Sequence, residues 1–361
     1  MVDNFEDRRT VNELMKGALA DQLAGRYTSA RSLYTRVLAQ EPDNTVAHMN
    51  LGTVLLTLGE FGPGWREFSW RQRLQSNQLP IWDGTHLGGK GILVRGEQGA
   101  GDNIQFMRYL PMVSAMGGPV SALTLPGMGR LFSSMHESAT IFEPGEKVSG
   151  LHVEIPIMDL PGILGTTASS IPASIPYLHA ETGLTESWRS RLGPPEGFRV
   201  GLCWQGNPDR PRDALRSVPL DQFGPLMSVP GTQWFGLQVG PGEDQVTSFN
   251  APGSFAHLGP HLRSGPDKFV NDAAVMEHLD LIISVDTSVA HLAGAMGKSV
   301  WILLAREADW RWMLERQDSP WYPTARLFRQ TVSGDWGAPL SAMTAQLTTE
   351  VNRRPQAVDP H

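Results

Sequence analysis

The residues best suited to chemistry form one short segment, Asp286-Thr-Ser288, which follows directly after the apolar run 281–285. The pattern beyond it predicts a helix, so hydroxyls, unpaired backbone N–H groups and the positive end of the helix dipole meet at one point. Such a point favours an anion, while Asp286 itself either caps the helix or accepts from a ribose or sugar hydroxyl. His291 lies one turn further along and either shares this site or packs between helices.

A second segment, 205–217, carries three arginines within seven positions, Arg210, Arg212 and Arg216. Guanidinium groups donate paired hydrogen bonds to phosphate oxygens, so this loop suits a diphosphate. The alternative is that two aspartates of the same segment neutralise the arginines in surface ion pairs. The sequence leaves both interpretations open.

A third segment, Gly99-Ala-Gly-Asp102, lies between the apolar run 91–94 and a helical pattern. Gly99 and Gly101 allow the backbone to approach a ligand closely. Asp102 is placed either to take a proton from an acceptor hydroxyl or simply to cap the helix. No Asp-x-Asp stands in these loops, so we expect no metal and no other cofactor.

Composition limits the class of protein. The chain has 361 residues, of which 40% are hydrophobic and 19% charged, which excludes disordered and fibrous proteins. A net charge of −7 opposes binding to nucleic acid or to an anionic membrane surface, so any anion site must be local. The single cysteine, Cys203, cannot form an internal disulfide or a zinc site, and its apolar neighbours predict a buried strand thiol.

The N-terminus lacks the apolar stretch of a secretory signal, and no run approaches the ~20 apolar residues of a membrane helix. We therefore expect a soluble, cytoplasmic protein without a transmembrane segment.

The first 79 residues contain an internal repeat. Gly25-Arg26-Tyr27 recurs as Gly59-Glu60-Phe61, 34 residues later, within four predicted helices. These helices are predicted at 11–23, 30–39, 45–58 and 63–73. The segment resembles the tetratricopeptide repeat. Two copies are few, so we expect them to pack on the next domain, either as a plain helical cap or with a peptide-binding groove.

Two series of strand and helix follow, which predicts an α/β protein with two Rossmann-like domains facing a cleft. Strands are predicted at 91–94, 120–125, 140–142, 198–204, 233–239, 280–285 and 299–304, a loop at 160–178 and a last helix at 336–353. The predicted divisions are 1–79 for the helical repeats, 80–185 for the acceptor domain, 186–335 for the donor domain and 336–361 for the C-terminal helix and tail. The tryptophans at 310, 312 and 321 either stack on sugar rings or fix the C-terminal loops, and Arg311 beside them is suited to phosphate.

The segments Asp286-Thr-Ser-Val-Ala-His291 and Gly99-Ala-Gly-Asp102 resemble the motifs of glycosyltransferase family 9, the heptosyltransferase-like enzymes. The resemblance covers about residues 90–330. It implies a GT-B fold, Asp102 as catalytic base, and Thr287, Ser288 and His291 as contacts of the donor diphosphate. The expected donor-binding residues are Gly99, Gly101, Asn207, Arg212, Arg216, Ser217, Gln238, Asp286, Thr287, Ser288 and His291.

The implied reaction is metal-independent, inverting transfer of a sugar from a nucleotide-sugar to a hydroxyl of a glycan or of a protein recruited by the repeats. Two alternatives remain open: a nucleotide-sugar epimerase with the same fold, and a non-catalytic scaffold with a degenerate GT-B domain.

Overall fold

The computed structural model describes residues 3–210 and 213–353, with the side chains of residues 3–9 left undescribed. The α-helices are α1 (Asp3–Leu23), α2 (Tyr27–Gln40), α3 (Thr45–Thr57), α4 (Phe61–Phe68), α5 (Ala100–Phe106), α6 (Leu110–Ser114), α7 (Gly129–Phe132), α8 (Leu160–Ile163), α9 (Thr182–Leu192), α10 (Asp213–Arg216), α11 (Gly224–Met227), α12 (Gln245–Ser248), α13 (Gly259–Leu262), α14 (Val270–Met276), α15 (Ser288–Ala295) and α16 (Gly337–Arg353). The strands are β1 (Gly91–Arg95), β2 (Val120–Leu123), β3 (Thr140–Phe142), β4 (Leu151–Pro156), β5 (Phe198–Cys203), β6 (Thr232–Gly236), β7 (Phe255–His257), β8 (Leu281–Val285), β9 (Val300–Leu304) and β10 (Ala325–Arg329).

Helices α1 to α4 follow one another as two hairpins. Helices α1, α2 and α3 share a core of their own, whereas Phe61 and Trp65 of α4 belong to the core of the α/β part. Gly25 and Gly59 occupy equivalent turns with φ of +73° and +81°, which explains why glycine recurs at this spacing. A Cβ at Gly52 would lie 2.4 Å from the backbone nitrogen of Phe68, so this glycine allows α3 and α4 to pack closely. The predicted fourth helix is wrong in its second half, where the chain turns to a 3₁₀ helix, Ser69–Leu74.

Two parallel sheets follow, in the orders β3-β2-β1-β4 and β10-β9-β8-β5-β6-β7. Strands β5, β8 and β9 are buried almost throughout, as apolar runs at the centre of a parallel sheet should be. The predicted mixed α/β architecture with an N-terminal helical module is confirmed. The sequence interpretation did not predict β4, β7 or β10, and α8 lies inside the predicted loop 160–178.

The helical module packs directly on the α/β part. Trp65 of α4 donates its indole N–H to the carbonyl of Thr166 (3.0 Å), and its ring meets that of Trp310 edge-on at 5.3 Å. Arg71 is buried and donates to Glu97 at 2.8 Å and to Asp159 at 2.5 Å. The module therefore completes its packing on its neighbour, as the small number of repeats predicts. No helix in the described ranges is long and apolar enough to cross a bilayer.

Candidate functional site

A cavity of about 850 Å³ lies where the carboxyl ends of β1, β5, β6 and β8 meet. Parallel sheets present their strand-end loops along one edge, so segments distant in the sequence converge there. The predicted residues that line this cavity are Gly99, Gly101, Asp102, Asn207, Arg210, Arg216, Gln238, Asp286, Thr287, Ser288 and His291. Ser217 does not line it, and Arg212 lies outside the described residues.

Asp102 is the third residue of α5, and its carboxylate is held from two sides. Oδ2 accepts from the backbone N–H of Gly99 at 2.7 Å, and Oδ1 accepts a short hydrogen bond from Nη2 of Arg311. Gly99 is the N-cap of α5, so the alternative prediction that Asp102 is the N-cap is wrong; Asp102 instead accepts from the N-cap backbone as the third residue of the helix. The side chain also lines the cavity and is 17% exposed, so this contact and access to a ligand coexist.

Arg311 is buried beside Asp102, and each of its three guanidinium nitrogens donates a hydrogen bond. It donates to Oε1 of Gln105 at 2.6 Å and to Oδ1 of Asp309 at 2.7 Å, and its charge centre lies 4.5 Å from the ring centroid of Trp310. Burial lowers the pKa of Arg311, but Asp309 and Asp102 outweigh it and the pKa is raised above its ordinary value. Arg311 therefore remains a fixed positive charge that orients Asp102.

Thr287, which also lines the cavity, occupies the cap position of α15. The prediction that Asp286 caps this helix is therefore wrong; its other predicted role, accepting from a hydroxyl, stays a prediction. Burial, and then the charge of Asp309, raises the pKa of Asp286 above its ordinary value. The hydroxyl of Thr287 contacts that of Ser284 at 2.9 Å, and Ser288 begins the helix at the cavity surface.

His291 lies where α15, which follows a strand of the second sheet, packs against α5, which follows a strand of the first. Its Nδ1 lies 2.8 Å from the hydroxyl of Tyr322, and its ring stacks on Trp312 at 5.4 Å. A Cβ at Gly101 would come within 2.8 Å of the ring, so glycine is needed where α5 meets α15. Burial, and then the charge of Arg311, lowers the pKa of His291 well below its ordinary value. The ring is thus a neutral packing group that also borders the cavity.

The arginine loop confirms the ion-pair interpretation for Arg216 alone, while its binding of a diphosphate stays a prediction. Arg216 donates to Oδ1 of Asp213 and to the carbonyl of Asp286, both at 2.8 Å, and still lines the cavity. Arg210 is exposed at the cavity, and none of the carboxylates described by the structure forms an ion pair with it. Ser217 instead bonds Asp213 at 2.9 Å, which makes it a support for the loop.

Asn207 is exposed at the cavity, where its Oδ1 accepts from the backbone N–H of Asp209 at 3.0 Å. Gln238 lies past the end of β6 with its amide fully engaged. Its oxygen accepts from the N–H groups of Trp204 and Gln205, and its nitrogen donates to Pro241. We therefore assign Gln238 to positioning the loop.

Cys203 is buried beside this group, 3.6 Å from the hydroxyl of Thr287, and burial raises the pKa of its thiol to about 11. This is the buried strand thiol that the sequence predicts.

Two parts of the cavity carry no sequence motif. One is a wall contributed by the helical module, Met49, Phe68 and Arg71. The other is Asp272, a buried carboxyl near the start of α14. Among the residues that the structure describes, no group of three or more His, Cys, Asp or Glu side chains is placed to hold a metal ion.

Comparison with known proteins bears on the fold. Residues 22–62 match the family model described as tetratricopeptide repeat. The glycosyltransferase family 9 structure from Veillonella parvula superposes with a TM-score of 0.50 at 11% identity, covering 75% of this chain and 98% of that one. This chain shares that fold. The predicted resemblance to tetratricopeptide repeats joined to a family 9 glycosyltransferase fold is thus confirmed.

Two further similar proteins are a curated relative that is longer than this chain and a structure that superposes with a lower TM-score. Protein FlbA of Caulobacter vibrioides is 26% identical over 312 residues, which cover 79% of this chain and 52% of that protein. This chain therefore spans about half the length of the curated relative. ADP-heptose lps heptosyltransferase II of E. coli has a TM-score of 0.47 at 14% identity, over 73% of this chain and 97% of that one.

Proposed function

We propose that the chain is a glycosyltransferase that moves a sugar from a nucleotide-sugar to an acceptor hydroxyl. The observation that carries this proposal is that one cavity is lined both by an oriented carboxylate, Asp102, and by groups suited to an anion. Asp102 follows β1 of the first sheet. Arg210 and Arg216 follow β5 of the second sheet, and the start of α15 follows β8 of the same sheet.

The chemistry is a direct displacement. The acceptor oxygen attacks the anomeric carbon while the bond from that carbon to the diphosphate oxygen breaks, which inverts the configuration. Asp102 takes the acceptor proton. Arg210, Arg216 and the first N–H groups of α15 stabilise the charge that grows on the leaving diphosphate, so the reaction needs no metal ion.

Arg311 and Gly99 leave Asp102 with two of its four lone-pair sites engaged. Asp102 also lines the cavity, so these two bonds fix the carboxylate there before an acceptor arrives. Catalysis by Asp102 therefore rests on placement, because a base held in line with the attacking hydroxyl avoids the cost of orienting it.

Met49 and Phe68 of the helical module form part of the cavity wall. This placement supports an acceptor that contacts the repeats as well as Asp102. A lipid-linked saccharide and a protein hydroxyl both remain acceptors of the proposed reaction, and a fractionated extract distinguishes them.

The first test is a thermal-shift titration of the full chain with ADP, UDP, GDP and CMP in the presence of EDTA. One of them should raise the melting temperature with saturation, because a ligand of the native state stabilises it. Arg210→Ala should weaken that affinity about tenfold, as expected for loss of a charge-assisted hydrogen bond. Arg36→Ala, an exposed arginine on α2, is the matched control and should leave it unchanged.

The second test separates binding from turnover. Asp102→Asn should bind the same nucleotide while transfer, measured as nucleoside diphosphate released with protein or lipid fractions as acceptor, falls about 10²- to 10⁴-fold. If no nucleotide stabilises the protein at millimolar concentration, the donor site is wrong. If Asp102→Asn transfers at the wild-type rate, the assigned base is wrong.

A further inference from the structure

Asp272 is an acidic side chain in a place that otherwise holds apolar ones. It lies near the start of α14, whose following residues 273–276 are buried in the core. Asp272 is only 5% exposed, yet it lines the cavity. Its carboxyl is therefore screened from bulk water and open to a bound ligand.

Other buried carboxyls of the chain are satisfied by neighbours. Asp159 accepts from Arg71 and Gln72, both at 2.5 Å, and Asp213 accepts from Arg216 at 2.8 Å and from Ser217 at 2.9 Å. Apart from its own backbone N–H, Asp272 has no hydrogen-bond donor and no cation among residues 3–210 and 213–353. A buried polar group without a partner costs free energy, so its retention at a cavity wall points to a ligand that satisfies it.

The approach to Asp272 is a built part of the fold. Lys268 donates its backbone N–H to the carbonyl of Gly127 at 2.7 Å, and Asp267 pairs with Arg130 at 3.1 Å. Phe269 then adopts a left-handed backbone, with φ of 65°, immediately before α14. These contacts hold the start of α14 against the first sheet's loops and fix where Asp272 stands.

Cys203 relates the position of Asp272 to that of the donor groups. Burial raises the pKa of the Cys203 thiol, and the negative charge of Asp272 adds to this effect. Cys203 in turn lies 3.6 Å from the hydroxyl of Thr287. Asp272, Cys203 and Thr287 all line the cavity, so Asp272 shares it with the groups proposed to bind the donor.

The chemistry of a carboxylate selects its partner. An ionised carboxylate only accepts hydrogen bonds, and it repels phosphate. Neighbouring hydroxyls on one ring offer two donors at a spacing that two carboxylate oxygens can accept. In a nucleotide-sugar, such pairs occur on the ribose and on the transferred sugar.

We propose that Asp272 binds a pair of neighbouring ring hydroxyls of the donor, and so selects which nucleotide-sugar the cavity accepts. This inference rests on the proposed function and adds a second carboxyl to the site, with a binding role separate from the proton transfer at Asp102.

The test compares Asp272→Ala and Asp272→Asn with the wild type by isothermal titration. The probes are the nucleoside diphosphate that stabilises the wild type, its 2′-deoxy form and its glucose conjugate. Asp221→Asn, an exposed aspartate, is the matched control. Circular dichroism checks that each variant is folded, and the Asn variant keeps the shape of the side chain if the Ala variant does not fold.

If Asp272 binds the ribose, Asp272→Ala should lower the affinity for the diphosphate and for its glucose conjugate alike, by about 10- to 100-fold. The affinity for the 2′-deoxy form should then change little when Asp272 is replaced. If Asp272 binds the transferred sugar, only the conjugate should weaken. Unchanged affinities for all three probes in both variants, with nucleotide binding intact in the wild type, would overturn this inference and leave the proposed function standing. Failure of the wild type to bind any nucleotide would overturn both.

Discussion

Replacing Asp272 by asparagine should change how stability depends on pH. Burial without a donor raises the pKa of Asp272 from 3.8 to about 7 in the folded chain. Because the folded pKa is the higher one, the contribution of Asp272 to the unfolding free energy is fully present below pH 3.8. That contribution is lost as the pH rises through the folded value. The asparagine variant carries no such proton and lacks this loss.

The size of the effect follows from the two pKa values. Each unit of difference is worth about 1.4 kcal/mol of unfolding free energy. Between pH 5 and pH 8 the unfolded carboxyl is ionised throughout, whereas the folded one changes from protonated to mostly ionised. Over that interval the wild type should lose about 2–3 kcal/mol relative to Asp272→Asn, and the whole loss above pH 8 approaches about 4 kcal/mol.

Urea unfolding at pH 5 and at pH 8 measures this difference directly. Other titrating groups are shared by both proteins, so they cancel when the variant is compared with the wild type at each pH. Asp221→Asn should show no change in its difference from the wild type. An Asp272→Asn difference that is the same at both pH values would refute the reasoning, since it would mean that the folded carboxyl has a stabilising partner.

Three further predictions concern other parts of the site. Arg71→Ala should destabilise the chain by about 3–5 kcal/mol in urea unfolding, because it leaves two buried carboxyls unpaired; a loss below 1 kcal/mol would contradict that. Gly101→Ala should lower transfer activity and cost about 1–3 kcal/mol, since its methyl group would meet the ring of His291; wild-type values in both assays would show that α5 can move. Cys203 should resist a thiol reagent at pH 8 until the protein unfolds, because it is buried and its pKa is about 11; rapid labelling of the folded chain would contradict its burial.

The sequence predicted the parts of the fold whose signals are local. Gly25 and Gly59 mark turns that only glycine adopts easily, and 281–285 is apolar at every position except Ser284. Strand β4 was missed because it contains Glu154, which breaks the apolar pattern. That side chain is buried all the same, since Arg95 donates to it at 3.1 Å and it accepts from the backbone of residues 78 and 79. Such compensation is set by tertiary contacts and leaves no local pattern.

The candidate site shows the same difference between residues marked by a local pattern and residues placed only by tertiary contacts. Asp102 and Thr287 each follow a strand at the carboxyl edge of its own sheet, which is where such folds place ligands, and both line the one cavity. Arg71 and Asp272 carry no such signal, because nothing next to them in the sequence marks their burial or their place at the cavity. Arg311 was noted among the tryptophans, but its bond to Asp102 joins residues 209 positions apart and is visible only in the folded chain.

The helical module cannot be treated as a separable recruitment domain. Arg71, Gln72 and Gln75 all bond Glu97 or Asp159, and Glu97 directly precedes the loop that carries Asp102. Deleting the repeats would remove the side-chain donors of both carboxyls and leave Glu97 only the backbone N–H of Met158, so loss of activity after deletion would say nothing about acceptor binding.

Substitutions at the cavity wall that the module contributes are the sharper experiment. Met49→Ala should leave the affinity for the nucleotide unchanged, because Met49 belongs to α3 of the helical module and not to the loops proposed to bind the diphosphate, and should raise the KM for an acceptor that contacts the repeats. An unchanged KM would place the acceptor on the first sheet alone. The repeats would then serve this site chiefly by holding Glu97, and through it the loop that precedes Asp102, in place.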